Sequence, residues 1–100
     1  MRLRAAMLAV MAMAAPAHTG DIAIDNFAFT APAITVPAGT TVTWTNRDDV
    51  PHTVVSTDKA FKSPALDTDQ TFSHTFATPG TFTYYCSLHP RMTGQVVVNP

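Results

Sequence analysis

The stretch TVPAGTTVTWTN, residues 35–46, places β-branched runs on either side of a turn. Pro37 and Gly39 favour the turn, because proline fixes φ and glycine tolerates positive φ. The flanking residues alternate between apolar and polar side chains, as in strands with one buried face. This stretch therefore predicts a strand, a turn and a second strand.

The chain beyond residue 20 repeats this pattern, and no stretch of it has helical periodicity. Alternating runs cover residues 21–29, 34–36, 41–46, 52–56, 70–76, 81–86 and 94–99. The segment 57–69 is irregular and is expected to hold a loop or a short edge strand. Seven to eight short strands predict an all-β fold, a Greek-key two-sheet β-sandwich. We assign the aromatic side chains to its core: Phe27, Phe29, Trp44, Phe72, Phe76, Phe82 and Tyr84.

The first 17 residues are typical of a cleaved secretory signal. Arg2 and Arg4 form a basic start, residues 3–15 are almost wholly apolar, and Ala15-Pro16-Ala17 resembles a signal peptidase site. The apolar run is shorter than the roughly 20 residues of a membrane-spanning helix, so no membrane anchor is expected. We therefore expect a signal at 1–17, a single domain at 18–100 and a periplasmic location.

The expected domain carries four basic and seven acidic side chains, which gives a formal net charge of −3. Nucleic-acid binding calls for a basic patch, so nucleic acid is not an expected partner. The domain also contains a single cysteine, Cys86, and a single methionine, Met92. Exported proteins usually pair their cysteines in disulfides, so a lone cysteine is either free or paired with another molecule.

The stretch YYCSLHPRM, residues 84–92, spaces Cys86, His89 and Met92 three residues apart. A thiolate, an imidazole and a thioether are soft to borderline ligands, which suit copper rather than Mg²⁺ or Ca²⁺. Blue-copper electron-transfer sites combine one Cys and two His with a weak axial Met. A second histidine is therefore required, and the candidates are His18, His52 and His74.

His52 is the favoured candidate. It follows Pro51 and begins a β-branched run after the 46–50 loop. If that loop lies at the same end of the sandwich as residues 87–92, the His52 side chain can reach Cys86.

The other two histidines have simpler explanations. His74 lies in mid-strand between Phe72 and Phe76, where a core or rim position is the expected role. His18 would become the N-terminal residue after cleavage, and an N-terminal histidine can bind copper through its amine. We favour the explanation that cleavage happens to fall before His18, so that its position at the N-terminus has no role in copper binding.

Three stretches resemble the cupredoxin family of type 1 (blue) copper proteins: residues 35–46, Pro51-His52-Thr53 and residues 79–86. The spacing Cys-x-x-His-x-x-Met, with Pro90 after the histidine, is similar to the amicyanin side of the amicyanin/plastocyanin-like branch. The resemblance covers nearly all of residues 20–99. It implies a β-sandwich that holds one copper ion and passes single electrons, with His52, Cys86 and His89 in a plane and Met92 axial.

Three residues depart from the amicyanin pattern. Leu88 replaces a proline and restores a backbone N–H, which is expected to bond to the Cys86 sulfur beside the N–H of Thr53. Thr53 replaces an asparagine, which leaves its side-chain link to Ser87 open. Arg91 replaces a phenylalanine in the apolar patch where the family passes electrons. Redox donor and acceptor proteins are therefore expected to dock near His89, Leu88, Pro90 and Arg91.

Other interpretations explain fewer of these residues. A Cys–His nucleophile pair lacks an obvious third, orienting residue and leaves Met92 without a role. A structural zinc site is disfavoured because methionine is a poor zinc ligand. The favoured interpretation is an exported, monomeric electron carrier that is not an enzyme. The alternative is a copper-binding module for periplasmic storage or delivery of the metal.

Overall fold

The computed structural model describes residues 19–100, so the expected signal at 1–17 and His18 lie outside the described residues. Eight strands form two four-stranded sheets in this range. Their bounds are β1 Thr19–Asp25, β2 Ala28–Phe29, β3 Ala33–Pro37, β4 Thr40–Asn46, β5 Val55–Ser56, β6 Thr71–Phe76, β7 Gly80–Cys86 and β8 His89–Asn99. Among these residues, no helix has the length and apolar character needed to cross a membrane.

The two sheets have the strand orders β2-β1-β4-β6 and β3-β8-β7-β5. Only the β1–β2 and β7–β8 connections stay within one sheet, and every other connection between these strands passes to the opposite sheet. Two neighbouring pairs are parallel, β1 with β4 and β3 with β8, so strands distant in sequence lie side by side. The predicted all-β sandwich is confirmed.

Alternation along β4 shows how the sequence builds the core. Val42 and Trp44 are fully buried, whereas Thr41 and Thr43 turn outward and meet hydroxyl groups of β6. Phe72 and Phe82 are partly buried and pack against the core. The buried apolar side chains between the sheets include Ile22, Ile24, Phe29, Val42, Trp44, Val54, Phe61, Leu66, Phe76, Tyr84, Val96 and Val98.

The predicted strand 21–29 is interrupted because the chain turns at Asn26 and Phe27. Both residues have positive φ, 51° and 59°, and Asp25 pairs with Ala28 across them. Two central residues with positive φ characterise a type I′ hairpin turn, in which glycine is favoured. Because Phe27 occupies the second position, the turn carries no glycine signal. The prediction that Phe27 belongs to the core is wrong, since its side chain is 51% exposed.

The last strand begins at His89 rather than at Gly94, because Cys86 pairs with His89 across a tight turn. The next pair is Tyr85 with Thr93, which leaves residues 90–92 without partners on β7. The expected loop is therefore an irregular first part of β8.

The predicted strand at 52–56 is also shorter than expected. Only Val55–Ser56 forms β5, and His52 instead makes an isolated bridge to Leu66. The segment 57–69 contains no strand and is joined to residues 52–55 by this bridge and by a second one between Val55 and Lys62.

Candidate metal centre

Three predicted ligands meet at one place in the structure. The Nδ1 atoms of His52 and His89 each lie 3.7 Å from Sγ of Cys86. All three donor atoms lie within 4.8 Å of one another. In a trigonal site with bonds of about 2.0 Å to nitrogen and 2.3 Å to sulfur, the N···S separation is about 3.7 Å. The donors are therefore spaced as they would be around a single metal ion.

The ends of two strands position Cys86 and His89. Cys86 ends β7 and His89 begins β8, so the two-residue turn between them brings their side chains together. Met92 follows within the first residues of β8 and is buried, with 6% of its side chain exposed. It lines the same surface cavity as His89 and Phe27.

His52 comes from the loop after β4 and is fixed through its backbone. Its N–H donates to the Leu66 carbonyl at 3.1 Å, and the Leu66 N–H donates to the His52 carbonyl at 2.7 Å. The loop itself is held by buried Asn46, whose Nδ2 donates to the carbonyls of Val50 and Leu66. Asn46 Oδ1 also accepts the N–H of Asp48 at 2.9 Å. The histidine is therefore held in position by contacts that need no metal.

A carboxylate holds the far side of the His52 ring. Oδ2 of Asp48 lies 3.0 Å from Nε2 of His52 and accepts the backbone N–H of Phe27 at 3.1 Å. The hydrogen bond with His52, followed by that with Phe27, lowers the pKa of Asp48 to about 2. A carboxylate at Nε2 favours the proton there and leaves the Nδ1 lone pair directed at Cys86. Asp48 was not among the residues predicted from the sequence, although an aspartate four residues before a candidate ligand was the available signal.

Thr53 supplies the hydrogen bonds to the Cys86 sulfur. Its backbone N–H donates to Sγ at 3.3 Å, and its Oγ1 lies 3.7 Å from the same atom. Burial raises the pKa of Cys86, but the N–H of Thr53 and the rings of His52 and His89 outweigh it and lower that pKa to about 6. Cys86 therefore favours the thiolate, the form that binds metals.

Two expectations about the hydrogen bonds around Cys86 have different outcomes. The hydrogen bond expected from the Leu88 N–H is absent from the contacts of Sγ within residues 19–100, so that expectation is wrong. Leu88 lies instead at the surface turn with half of its side chain exposed. The link between Thr53 and Ser87 does form, because Oγ1 of Thr53 lies 2.7 Å from Oγ of Ser87 and accepts the Ser87 N–H at 2.7 Å.

His89 lies within a largely apolar surface that we call the His89 face: Phe27, Leu88, His89, Pro90 and Arg91. These residues line a cavity of about 480 Å³. The Phe27 ring meets His89 edge-on, with centroids 5.0 Å apart, and meets His52 at 5.6 Å. The predicted neighbours of His89 are thus present, and Phe27 is the member that sequence reasoning missed because it was assigned to the core.

The remaining histidine in the described range lies elsewhere. His74 on β6 packs against Phe61 and Phe76, with ring centroids 4.7 and 4.8 Å away. Burial among these rings lowers the pKa of His74. Of the candidate second histidines within residues 19–100, the structure brings His52 to Cys86 and leaves His74 apart.

Comparison with known proteins gives consistent matches. The profile of copper binding proteins of the plastocyanin/azurin family matches residues 17–99. Amicyanin-alpha of Methylorubrum extorquens is 39% identical over 89 residues, which are 84% of this chain and 75% of the relative. Amicyanin of Paracoccus denitrificans is 39% identical over 92 residues, 85% of this chain and 70% of the relative. A purple cupredoxin from Nitrosopumilus maritimus superposes with a TM-score of 0.77 and 37% identity, covering 80% of this chain and 99% of that structure.

Proposed function

The chain belongs to the plastocyanin/azurin family of copper-binding proteins, and on that premise we propose that His52, Cys86, His89 and Met92 hold the single copper ion of an electron carrier. Copper is the cofactor of this family, whose members are carriers rather than enzymes. The observation that supports the ligand assignment is the convergence of two imidazole nitrogens on one buried sulfur. Met92, buried beside them, completes the set.

The donor set fits copper in both of its oxidation states. Imidazole nitrogens suit Cu(II), whereas thiolate and thioether sulfurs suit Cu(I). When bound, copper would supply one-electron cycling between these states. The thiolate form of Cys86 is favoured by its hydrogen bonds, and this use explains how a lone cysteine can persist in an exported protein.

The contacts around His52 and Cys86 hold the proposed ligands in place. The Asp48 carboxylate beside Nε2 of His52 favours a proton on that nitrogen, and the bridge to Leu66 holds the His52 backbone. The backbone N–H of Thr53, which precedes β5, donates to the Cys86 sulfur. Because these contacts are independent of the metal, the ligands need to move little when an electron arrives or leaves.

We place electron entry and exit at the His89 face. His89 is the most exposed of the proposed ligands, because it is half-buried whereas His52, Cys86 and Met92 are buried. Phe27, Leu88 and Pro90 would exclude water when a partner docks, and Arg91 would attract acidic groups on that partner. Redox donors and acceptors are therefore the proposed partners at this face.

The proposal includes export. Residues 1–17 would direct secretion, and residues 18–100 would work as a monomeric domain in the periplasm. Mass spectrometry of the purified protein tests the boundary, since cleavage after Ala17 would leave His18 as the first residue.

The ligand assignment is tested by visible absorption after Cu(II) addition. We expect an intense thiolate-to-copper band that ascorbate bleaches and an added oxidant restores. Cys86→Ala should abolish the band, and His74→Ala, a matched control at a distant histidine, should retain it. Absence of the band, or equal copper binding by Cys86→Ala, would refute the assignment. Irreversible transfer of Cu(I) to a chelator during cycling would favour storage or delivery.

The docking face is tested with an anionic oxidant, hexacyanoferrate(III). Arg91→Glu should slow oxidation of the reduced protein, whereas Arg47→Glu, with the same charge change outside the His89 face, should have a smaller effect. The difference should shrink as salt increases, because salt screens exposed charges. Equal slowing by both variants would argue against docking near Arg91.

A further inference from the structure

The irregular segment 57–69 carries the residue that holds the backbone of His52. Leu66 exchanges two backbone hydrogen bonds with His52, and its carbonyl also accepts a bond from Nδ2 of Asn46. We call residues 57–69 the clamp loop. The position of the His52 backbone therefore depends on whether the clamp loop stays in place.

Backbone bonds and two buried side chains attach the clamp loop to the sandwich. The N–H of Ser63 donates to the Val54 carbonyl at 2.8 Å, and Oγ of Ser63 accepts the Val54 N–H at 2.8 Å. Phe61 and Leu66 are the apolar side chains of the loop that reach the core. Because residues 57–69 contain no strand, the loop has no continuous ladder of hydrogen bonds, and its attachment depends strongly on these buried side chains.

Phe61 packs in a cluster of aromatic rings in which His74 is its nearest partner. The centroids of the Phe61 and His74 rings lie 4.7 Å apart, and the ring planes are inclined by 32°. The rings of Phe76, Trp44 and Phe72 lie farther from Phe61, at 5.5, 5.7 and 6.4 Å. The Phe76 ring also meets His74 edge-on at 4.8 Å. A titratable ring on β6 therefore packs directly against the aromatic side chain that anchors the clamp loop.

The half-buried His74 ring has no polar partner. Among residues 19–100, neither an ion pair nor a hydrogen bond to this ring is present. Strands β4 and β6, which carry its neighbours, contain no other charged or titratable side chain. The charged residues of the clamp loop are Asp58, Lys59, Lys62, Asp67 and Asp69. Asp58 bonds within its own loop and Asp69 pairs with Arg47, so no carboxylate compensates a charge on His74.

Acid therefore works against the packing of His74 on Phe61. Burial among apolar rings lowers the pKa of His74 from its ordinary value of 6.5. The ring then binds a proton more readily when the clamp loop is open and water reaches it than when the loop is closed. The stability linked to this ring is fully present above pH 6.5 and is lost as the pH falls through the lower pKa of the closed state.

We propose that the stack of His74 on Phe61 is a pH-sensitive switch, which opens the clamp loop in acid and thereby loosens the backbone hold on His52. The opening itself needs no copper. The inference rests on the proposed function only in identifying His52 as a copper ligand. Protonation of the ligands themselves also weakens metal binding in acid, so the contribution of the switch is the part that disappears when His74 is replaced.

The first test follows the rings directly by NMR of the protein expressed from the full-length chain and reduced with ascorbate, which keeps any bound copper diamagnetic. We expect His74 to titrate below pH 6.5 and the Phe61 ring signals to shift with the same midpoint. An imidazolium can also be attracted to the face of a phenyl ring. A titration of His74 at or above pH 6.5, or Phe61 signals that do not follow it, would overturn the proposal.

The second test measures opening of the clamp loop by amide hydrogen exchange, corrected for the intrinsic effect of pH. Protection at Ser63 and Leu66 should fall by about two- to tenfold between about pH 7.5 and 5.5. His74→Phe keeps an aromatic ring without a titratable group, and His74→Leu serves if that variant does not fold. Either variant should keep its protection, as should Val96 inside β8 in all proteins. Equal losses with and without His74 would overturn the proposal.

The third test connects the loop to the metal centre. Copper transfer from the reduced protein to a chelator is timed at the same two pH values. Acid should accelerate transfer more in the original protein than in His74→Phe, by about two- to tenfold. Equal acceleration would overturn the link to His52. Because hydrogen exchange is measured independently of copper, failure of the switch and failure of the ligand assignment are distinguishable.

Discussion

Oδ2 of Asp48 lies 3.0 Å from Nε2 of His52, on the ring nitrogen that does not face Cys86. The same oxygen accepts the N–H of Phe27, whose ring contacts His89 at the surface. The Asp48 carboxylate thus contacts two residues: the buried proposed ligand His52, and the exposed Phe27, whose ring lies beside the proposed ligand His89. The metal centre and the His89 face are therefore joined by a short set of direct contacts.

Asp48→Asn should raise the reduction potential. The carboxylate makes His52 a stronger donor and favours the more positive Cu(II) state, so its neutralisation favours Cu(I). Loss of a hydrogen bond to a metal-binding histidine lowers metal affinity by about 10–100-fold. If only the affinity for Cu(II) falls, the reduction potential rises by about 60–120 mV. Protein-film voltammetry measures the change. Asp49→Asn is the matched control at the exposed neighbouring residue, and an equal shift there would contradict a specific role of Asp48.

Thr53→Val should lower the reduction potential. Its hydroxyl group lies near the Cys86 sulfur and bonds to Ser87, and hydrogen bonding around the sulfur tunes the potential of such sites. Loss of one such bond corresponds to about 20–60 mV. Thr57→Val, which removes a hydroxyl paired with Thr83, should leave the potential unchanged. A raised potential in Thr53→Val would contradict this account.

Leu88 offers a related comparison, because its N–H makes no contact with the sulfur among the hydrogen bonds of residues 19–100. Leu88→Pro should therefore shift the potential less than Thr53→Val does, as measured by the same voltammetry.

The copper-free protein should become more stable as pH rises from about 6 to 9. The pKa of Cys86 is lowered from 9.0 to about 6 in the folded state, so folding favours the thiolate. This contribution is fully present above pH 9 and is lost as the pH falls through 6. Urea unfolding of the copper-free protein at several pH values measures it. Cys86→Ser should lack the rise, and the same pH dependence in that variant would assign the effect to another group.

Gly94→Ala should destabilise the fold by about 1–3 kcal/mol through overpacking. Gly94 pairs with Tyr84 across β7 and β8, and an added Cβ would overlap the buried Tyr84 ring. Gly20→Ala is the control, since a Cβ there would lie 3.4 Å from its nearest neighbours, Ile34 and Val42. Urea unfolding of both variants checks the difference. Equal stability losses would contradict the crowding at Tyr84.

Phe27→Gly should accelerate copper loss to a chelator by about two- to tenfold, the equivalent of one edge-on aromatic contact. The variant removes the ring that contacts His52 and His89, while glycine tolerates the positive φ of the turn. Phe27→Tyr keeps the ring and should release copper at the original rate. An unchanged rate in Phe27→Gly would show that the ring does not protect the centre.

Much of this architecture could be predicted because it depends on local patterns. Alternation between apolar and threonine residues along β4 indicated a strand with one buried face. The spacing of Cys86, His89 and Met92 placed three soft donors in a short segment, and Pro51-His52 indicated the fourth. These features need only neighbouring residues to be recognised.

The rest depends on partners distant in sequence. The turn at Phe27 was hidden because a phenylalanine occupies a position where glycine is favoured, so the residue was assigned to the core. The beginning of β8 was missed because pairing of Cys86 with His89 overrides the loop-like composition around Pro90. The bond from the Thr53 N–H to the Cys86 sulfur was expected, but the role of Asp48 was not. That role follows from how the loop after β4 lies near β7, which the spacing of residues does not reveal.

β8 lies inside its sheet, between β3 and β7, so this sheet cannot be completed before β8 has been synthesised. A ribosome makes β8 after the other strands described here, and pairing between distant segments is slow. A nascent chain that stops before this strand has neither the centre of one sheet nor His89 and Met92. The proposed site at His89 and Met92 can therefore form only after β8 has been made.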